Sequence, residues 1–133
     1  MPFEFYMLAA ATLLALFAFL PGSIYKSNAY GGLGWLASNR DVSDKPPLTG
    51  AAARAERAHD NLKENYPAFV AAVLLLLYSG HSGMGTAVAS AVFVAARVLY
   101  IPAYIGGHQP LRTSLWLLGW AGTIYILAVA IFG

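Results

Sequence analysis

Six of the chain's charged side chains are crowded into the stretch 54–67, which reads RAERAHDNLKENYP and leads directly into an apolar run. The whole chain has only eight Lys and Arg and six Asp and Glu residues. At about 100° per residue, one face of a helix would carry a polar stripe, formed by Arg54, Arg57, Asn61, Glu64 and Asn65. Guanidinium groups bind carboxylates through paired hydrogen bonds, and a carboxylate beside an amide can hold an ammonium group. The stripe therefore has the chemistry to bind a small zwitterion.

A second polar group interrupts an apolar stretch further along the chain. Arg97 lies inside 84–105, where a buried cation is costly unless it pairs or reaches the membrane interface. Tyr100 and Tyr104 share its helical face, and Arg112 follows at the start of the next apolar stretch. The two groups together predict a polar cavity at one end of a helix bundle. Glutathione, with two carboxylates and one ammonium, would fit this cavity, and so would other small peptides.

Each polar group also has a purely structural interpretation. The stretch 54–67 could be a charged cap that fixes topology, and the two tyrosines could be interfacial residues. Arg97 could form an internal ion pair with Glu64 or Asp60. Glu56 and His59 have the ExxH spacing of a di-iron site, but such a site needs a second ExxH on a facing helix, which the sequence lacks. We therefore expect no metal.

The composition indicates a membrane protein. Hydrophobic residues make up 59% of the 133 residues, charged residues make up 11%, and the mean hydropathy is +0.60. The net charge of +2 gives no indication of nucleic-acid binding. The absence of cysteine excludes disulfides, thiolate metal sites and a cysteine nucleophile, so any thiol chemistry must use a thiol supplied by a ligand.

The apolar stretches predict an all-α integral membrane protein with four transmembrane helices in a single domain, 1–133. Backbone groups in the bilayer core must be satisfied internally, so each span should be helical. The second stretch is long enough to span only if its helix begins upstream, inside the charged segment. Glu4 stands where a signal peptide would be basic, so we expect the first span to be retained. The expected helices are about 5–25, 51–79, 84–105 and 113–132, with a long loop at 26–50.

The cations predict the orientation of these helices. Loops 26–50 and 106–112, with the start of the second helix, lie on the side that carries Lys26, Arg40, Lys45, Arg54, Arg57, Lys63 and Arg112. The turn at 79–83 carries no Lys or Arg. The positive-inside rule therefore places loops 26–50 and 106–112 in the cytoplasm and both termini outside.

Two motifs resemble those of the MAPEG family, the membrane-associated proteins in eicosanoid and glutathione metabolism. RAERAHDNLKENYP, with Arg57, Asn61, Glu64 and Pro67, resembles the second-helix signature of the family. ARVLYIPAY, which contains Arg97, resembles its third-helix signature. PPLTG at 46–50 resembles the loop before helix two in the leukotriene-forming member. The four-helix pattern covers the whole chain and is closest to bacterial-type microsomal glutathione S-transferases.

The resemblance implies a homotrimer that binds glutathione between neighbouring subunits and uses it as a co-substrate. Arg57, Asn61 and Glu64 would hold glutathione from one subunit, and a neighbour would contribute the third-helix residues Arg97, Tyr100 and Tyr104. Arg112 would stabilise the glutathione thiolate, because a nearby cation lowers a thiol pKa. The second substrate would be a hydrophobic electrophile or lipid hydroperoxide that arrives from the membrane lipids.

Some assignments stay open at this level. Thr113 or Ser114 could activate the thiol in place of Arg112, because the alignment of Arg112 with the activating arginine needs a gap. Lys26 and Arg40 both compete for the role of a helix-one arginine. The family also includes a non-catalytic member, so the alternative function is binding of a lipid or a partner protein in the same intersubunit cleft.

Overall fold

The described residues of the chain form helices and no strand. A computed structural model describes residues 1–40 and 46–133, so Lys45 and part of the expected loop 26–50 lie outside the described residues. The helices are α1 Phe3–Phe17, α2 Leu20–Tyr30, α3 Leu33–Ala37, α4 Gly50–Ser79, α5 Met84–Ile105 and α6 Gln109–Phe132. The expectation of an all-α chain is confirmed.

The first helical stretch is interrupted at Pro21 and then continues beyond the expected end at residue 25. Proline has no N–H to donate to the carbonyl four residues earlier, so the ladder breaks at Phe17, where α1 ends. The Ser23 N–H donates to the Phe19 carbonyl at 3.0 Å, and α2 runs on from there to Tyr30. The expected loop 26–50 therefore begins with the last turn of α2 and also contains the short helix α3.

Three stretches among the described residues are long and apolar enough to cross a membrane: Phe3–Tyr30, Met84–Ile105 and Gln109–Phe132. The helix α4 has 30 residues and begins at Gly50, upstream of the charged segment. At 1.5 Å per residue it is about 45 Å long, more than the roughly 30 Å of a hydrocarbon core. Its first half carries the charges and its second half is apolar.

The helices pack through small and aromatic side chains. The rings of Phe69 on α4 and Phe93 on α5 stack with their centroids 3.9 Å apart. A close backbone approach joins α5 and α6, where a Cβ on Gly122 would lie 3.0 Å from the Ala89 carbonyl oxygen. Small residues permit such contacts, which replace the hydrophobic effect as the source of helix association in lipid.

A buried polar contact joins α1 to the start of α5. Glu4 is 1% exposed, and the Thr86 hydroxyl donates a hydrogen bond to its carboxylate. The same hydroxyl accepts a hydrogen bond from the Gly83 N–H at 2.9 Å. This contact lies at the opposite end of α5 from Tyr100 and Tyr104, so it fixes the packing of α1 far from the predicted cavity.

Large apolar side chains cover the outside of the bundle. Leu16, Phe17, Leu75, Leu118 and Ile131 are each at least 48% exposed. A water-soluble protein would bury much of this surface, whereas a protein with lipid or other subunits around it would not. The surface agrees with the three membrane-spanning stretches.

Candidate functional site

A cavity of about 470 Å³ opens between α4, α5 and α6 at the end of the bundle where α4 begins and α5 ends. We call this the cation-rich end. The cavity is lined by Arg57, Asp60, Asn61, Glu64, Tyr100, Tyr104, Arg112, Thr113 and Trp116. Its volume lies in the range of small-molecule sites, roughly 300–1,000 Å³. Six of the seven residues proposed from the sequence therefore line one cavity within a single chain; the seventh is Arg97.

Two guanidinium groups lie against the Tyr104 side chain. The Arg112 Cζ is 4.4 Å from the ring centroid, and the Arg57 Cζ is 6.0 Å from it. The Arg57 Nε also donates to the Tyr104 hydroxyl at 3.3 Å. Cation–π contacts hold both guanidinium groups beside the cavity. Two positively charged groups beside the same ring create a positive potential that attracts an anionic ligand.

The α4 side of the cavity also carries carboxylate and amide groups. Glu64 is exposed and lines the cavity with Asn61. Asp60 lines the cavity too, but it pairs with Lys63 at 3.0 Å. Glu64 is thus the carboxylate of the lining that is available to an ammonium group. The lining combines cations with this carboxylate, which suits a zwitterion.

The face of α4 that lines the cavity is turned slightly from the predicted stripe. Asp60, which is not part of the predicted stripe, lines the cavity. Arg54 and Asn65, at the other edge of the stripe, do not. The Arg54 Nε donates to the Ile105 carbonyl at 2.9 Å, and the Asn65 amide donates to the Asn61 carbonyl at 2.8 Å. Asp60 is only about 40° beyond Glu64 on a helix, so a small rotation brings it in.

Arg97 lies in the protein interior and does not line the cavity. It is 2% exposed, and its guanidinium Cζ is 4.2 Å from the ring centroid of Tyr100, which does line the cavity. Its Nε and one terminal nitrogen are buried without a hydrogen-bond partner among the described residues. Neither Glu64 nor Asp60 forms the internal ion pair that the sequence left open, because the ion pairs of the described residues are Lys63–Asp60 and Lys26–Glu56.

The two hydroxyl alternatives to Arg112 differ in their surroundings. Thr113 lines the cavity. The Ser114 hydroxyl donates to the Pro110 carbonyl at 2.9 Å and is absent from the cavity lining. Trp116, which the sequence analysis did not single out, lines the cavity one helical turn beyond Arg112 and stacks on Trp120 with centroids 6.0 Å apart. No short-range sequence signal distinguishes Trp116 from an ordinary membrane-belt tryptophan.

The candidates for a helix-one cation lie outside this cavity. Lys26, on α2, forms an ion pair with Glu56. Arg40 follows α3, and its Nε donates to the Leu36 carbonyl at 2.7 Å. Both side chains line a separate cleft between α2, α3 and α4.

Comparison with known proteins gives one positive result. No curated protein matches the chain significantly. The model of the MAPEG family matches residues 3–132, almost the entire chain, including the three helices that line the cavity and the three stretches that are long and apolar enough to cross a membrane. The chain therefore belongs to the MAPEG family, a family of membrane proteins that includes glutathione transferases and peroxidases as well as non-catalytic members.

Proposed function

We propose that this protein is a membrane glutathione transferase that also reduces lipid hydroperoxides with glutathione. The observation that supports the proposal is the cavity at the cation-rich end, where Arg57 and Arg112 both contact Tyr104 and line the same cavity as Glu64. Arg57 would bind a glutathione carboxylate. Glu64 and Asn61 would hold its ammonium group.

Arg112 is the residue that we assign to the thiolate. A guanidinium group close to a thiol favours the anion and so raises the nucleophilic fraction at neutral pH. Arg112 and Thr113 also lie in the first turns of α6, which begins at Gln109, and the positive end of a helix dipole favours an anion there. Thr113 can donate a hydrogen bond to the same sulfur.

The chemistry needs only this thiolate and an apolar electrophile. In conjugation, the sulfur attacks an electrophilic carbon, a carbon–sulfur bond forms, and the leaving group departs with its electron pair. In peroxide reduction, the sulfur attacks the terminal peroxide oxygen, the O–O bond breaks, and the alkoxide takes a proton from water and leaves as an alcohol. A second glutathione attacks the resulting sulfenic acid, which forms the disulfide and releases water. The position of Trp116 favours an apolar second substrate. Its ring lines the cavity and stacks on Trp120, which is 49% exposed on the outside of α6.

The assembly that we propose is a homotrimer of four-helix subunits, with α4 as the fourth span. Ala68, Ala71, Leu75 and Tyr78 are exposed along one face of α4, and Glu64 lies on the same face at the cavity. A neighbouring subunit packed on this face would cover the open side of the cavity at Glu64. We place the cation-rich end in the cytoplasm, where glutathione is available, and both termini on the other side.

Calorimetric titration of the detergent-solubilised protein with reduced glutathione tests the proposal. We expect saturable binding that Glu64→Gln weakens by about tenfold or more, because a charge-assisted hydrogen bond contributes roughly 1.5–3 kcal/mol. Glu56→Gln is the matched control, since Glu56 lies on the same helix but outside the cavity lining. Absence of saturable binding, or equal losses in both variants, would refute the proposed site. Binding without turnover of any electrophile would favour the non-catalytic alternative.

A further inference from the structure

A second cleft of about 510 Å³ lies at the cation-rich end between α2, α3 and α4. Its lining includes Lys26, Tyr30, Trp35, Arg40, Glu56 and Arg57. Arg57 and Asp60 line both this cleft and the glutathione cavity, so they form the wall between them. The other residues that line the second cleft do not line the first cavity. We call it the α2–α4 cleft.

The charges of the α2–α4 cleft favour an anion. Its two carboxylates are already engaged, Glu56 with Lys26 and Asp60 with Lys63. Arg57 has no ion pair with any described carboxylate. The Arg40 Nε donates to the Leu36 carbonyl, which anchors the guanidinium group at the end of α3; within residues 1–40 and 46–133 its terminal nitrogens have no hydrogen-bond partner. Planar guanidinium groups bind phosphate and carboxylate oxygens bidentately.

The aromatic side of the cleft contains an unused hydrogen-bond donor. The Trp35 ring packs edge-to-face against Tyr30, with centroids 4.8 Å apart. The Tyr30 hydroxyl donates to the Pro46 carbonyl at 2.5 Å, which fixes the tyrosine in place. The Trp35 Nε1–H is buried and has no acceptor among the described residues. A ligand oxygen in the cleft would satisfy this donor, and a buried donor without an acceptor is otherwise unfavourable.

The helices that form the cleft carry exposed apolar side chains on their other faces. Ile24 on α2 is 58% exposed and Leu33 at the start of α3 is 79% exposed. Tryptophan on such a helix is typical of the membrane–water interface, where one end of the side chain is in apolar surroundings and the other is in a polar region. A soluble anion would make no use of this apolar surface, whereas an amphiphile bound in the cleft would have its acyl chain in the same apolar layer.

We propose that the α2–α4 cleft binds the oxyanion headgroup of an anionic amphiphile, with Arg40, Arg57 and the Trp35 N–H as its ligands. The phosphate of an anionic phospholipid and the carboxylate of a fatty acid share this chemistry. The proposal does not rest on glutathione binding, because Arg40 and Trp35 lie outside the glutathione cavity.

The test is titration of the protein in neutral detergent with three short-chain probes: dioctanoyl phosphatidylglycerol, decanoate and dioctanoyl phosphatidylcholine. We expect saturable binding of at least one anionic probe and none of the zwitterionic one. Arg40→Gln should weaken binding by about tenfold or more, because it removes a bidentate charged contact. Trp35→Phe keeps the aromatic packing but removes the N–H, and we expect it to weaken binding by several-fold.

Arg54→Gln is the matched control. It also removes one positive charge at the cation-rich end, but Arg54 is on α4 and does not line the cleft. Binding of phosphatidylglycerol alone assigns the cleft to phospholipid, and binding of decanoate alone assigns it to carboxylates. Equal losses of affinity in Arg40→Gln and Arg54→Gln would show that binding depends only on the positive charge of the surface, and this would overturn the proposal. So would equal binding of phosphatidylcholine, or an unchanged affinity in Trp35→Phe. Monodisperse elution of each variant shows that it has folded.

Discussion

At the residue scale, Tyr104 organises the charges of the cavity. Arg57 and Arg112 come from different helices, α4 and α6, yet both lie against the ring and hydroxyl of this one tyrosine. Two cations held this close repel one another, and a bound carboxylate would relieve the repulsion. The arrangement therefore favours an anion before any ligand is present.

Arg97 is the least satisfied charge among the described residues. It is 2% exposed, and two of its guanidinium nitrogens lack partners. We expect Arg97→Met to raise the stability of the ligand-free protein by about 1–4 kcal/mol, because a hydrophobic side chain of similar length avoids the burial of a charge. Thermal denaturation in detergent measures this change.

The same substitution should reduce the stabilisation that added glutathione gives, if Arg97 supports Tyr100 at the cavity edge through their 4.2 Å contact. Arg97→Lys is the control that retains the charge. A lower melting temperature for ligand-free Arg97→Met would contradict this account, since it would mean that the guanidinium group is well satisfied in the free protein.

The sequence predicts individual cavity residues well where they lie near the centre of a helical face. Arg57, Asn61 and Glu64 are spaced at steps of four and three, so any helix places them together. Asp60 and Arg54 lie at the two edges of that face. The choice between them depends on how α4 is rotated against α5 and α6, and this rotation is set by packing, which spacing alone does not encode.

At the element scale, proline positions explain where the helices differ from expectation. The apolar run up to Tyr25 suggested one helix, but Pro21 divides it into α1 and α2. Pro67 and Pro102 lie inside α4 and α5 without ending them. In a bundle, neighbouring helices can support a helix that has lost one hydrogen bond, so the outcome at each proline depends on tertiary contacts. Hydropathy alone therefore does not fix these boundaries.

The attachment of α1 to α5 depends on the Glu4–Thr86 contact. Thr86→Val would leave a buried carboxylate without its donor, and we expect a loss of about 1–3 kcal/mol in stability. The matched control is Thr123→Val, because the Thr123 hydroxyl bonds only to the Gly119 carbonyl of its own helix at 3.0 Å. Denaturant unfolding in mixed micelles compares the two variants. Equal effects would show that the loss of a hydroxyl, and not the loss of the interhelix contact, destabilises the protein.

At the scale of the whole molecule, the exposed apolar surface accounts for membrane insertion, and one part of it also suits self-association. The exposed face of α4 carries the small residues Ala68 and Ala71 between Glu64 and Leu75. Small residues let helices from separate subunits approach closely. Ala72, outside this face, is 1% exposed in the core of the chain.

We expect Ala71→Trp to shift the protein from the proposed homotrimer towards monomers, because a large ring would separate the facing helices. Leu118→Trp is the control: Leu118 is 52% exposed on α6, away from the α4 face. Cross-linking in native membranes reports the assembly without detergent. An unchanged pattern of cross-linked species in Ala71→Trp would place the subunit interface elsewhere.

Membership of the MAPEG family could be predicted from the sequence because two motifs occur in the right order around a four-helix hydropathy pattern. The cavity that joins them could be predicted in outline, since both motifs lie at the same end of their helices. The α2–α4 cleft could not be predicted from the sequence. It depends on α3 and on the Lys26–Glu56 pair, which bring together residues that are distant in sequence and carry no motif.

The ultraviolet absorbance of the glutathione thiolate, recorded when glutathione is added to the purified protein at neutral pH, tests directly whether this cavity activates the thiol. We expect a thiolate signal that saturates with the bound ligand. In Arg112→Ala the signal should be lost although glutathione still binds, because Arg57 and Glu64 remain, and in Arg112→Lys it should be partly retained. Glutathione binding without a thiolate signal in the wild-type protein, or a full signal in Arg112→Ala, would contradict the assignment of this cavity to thiolate chemistry.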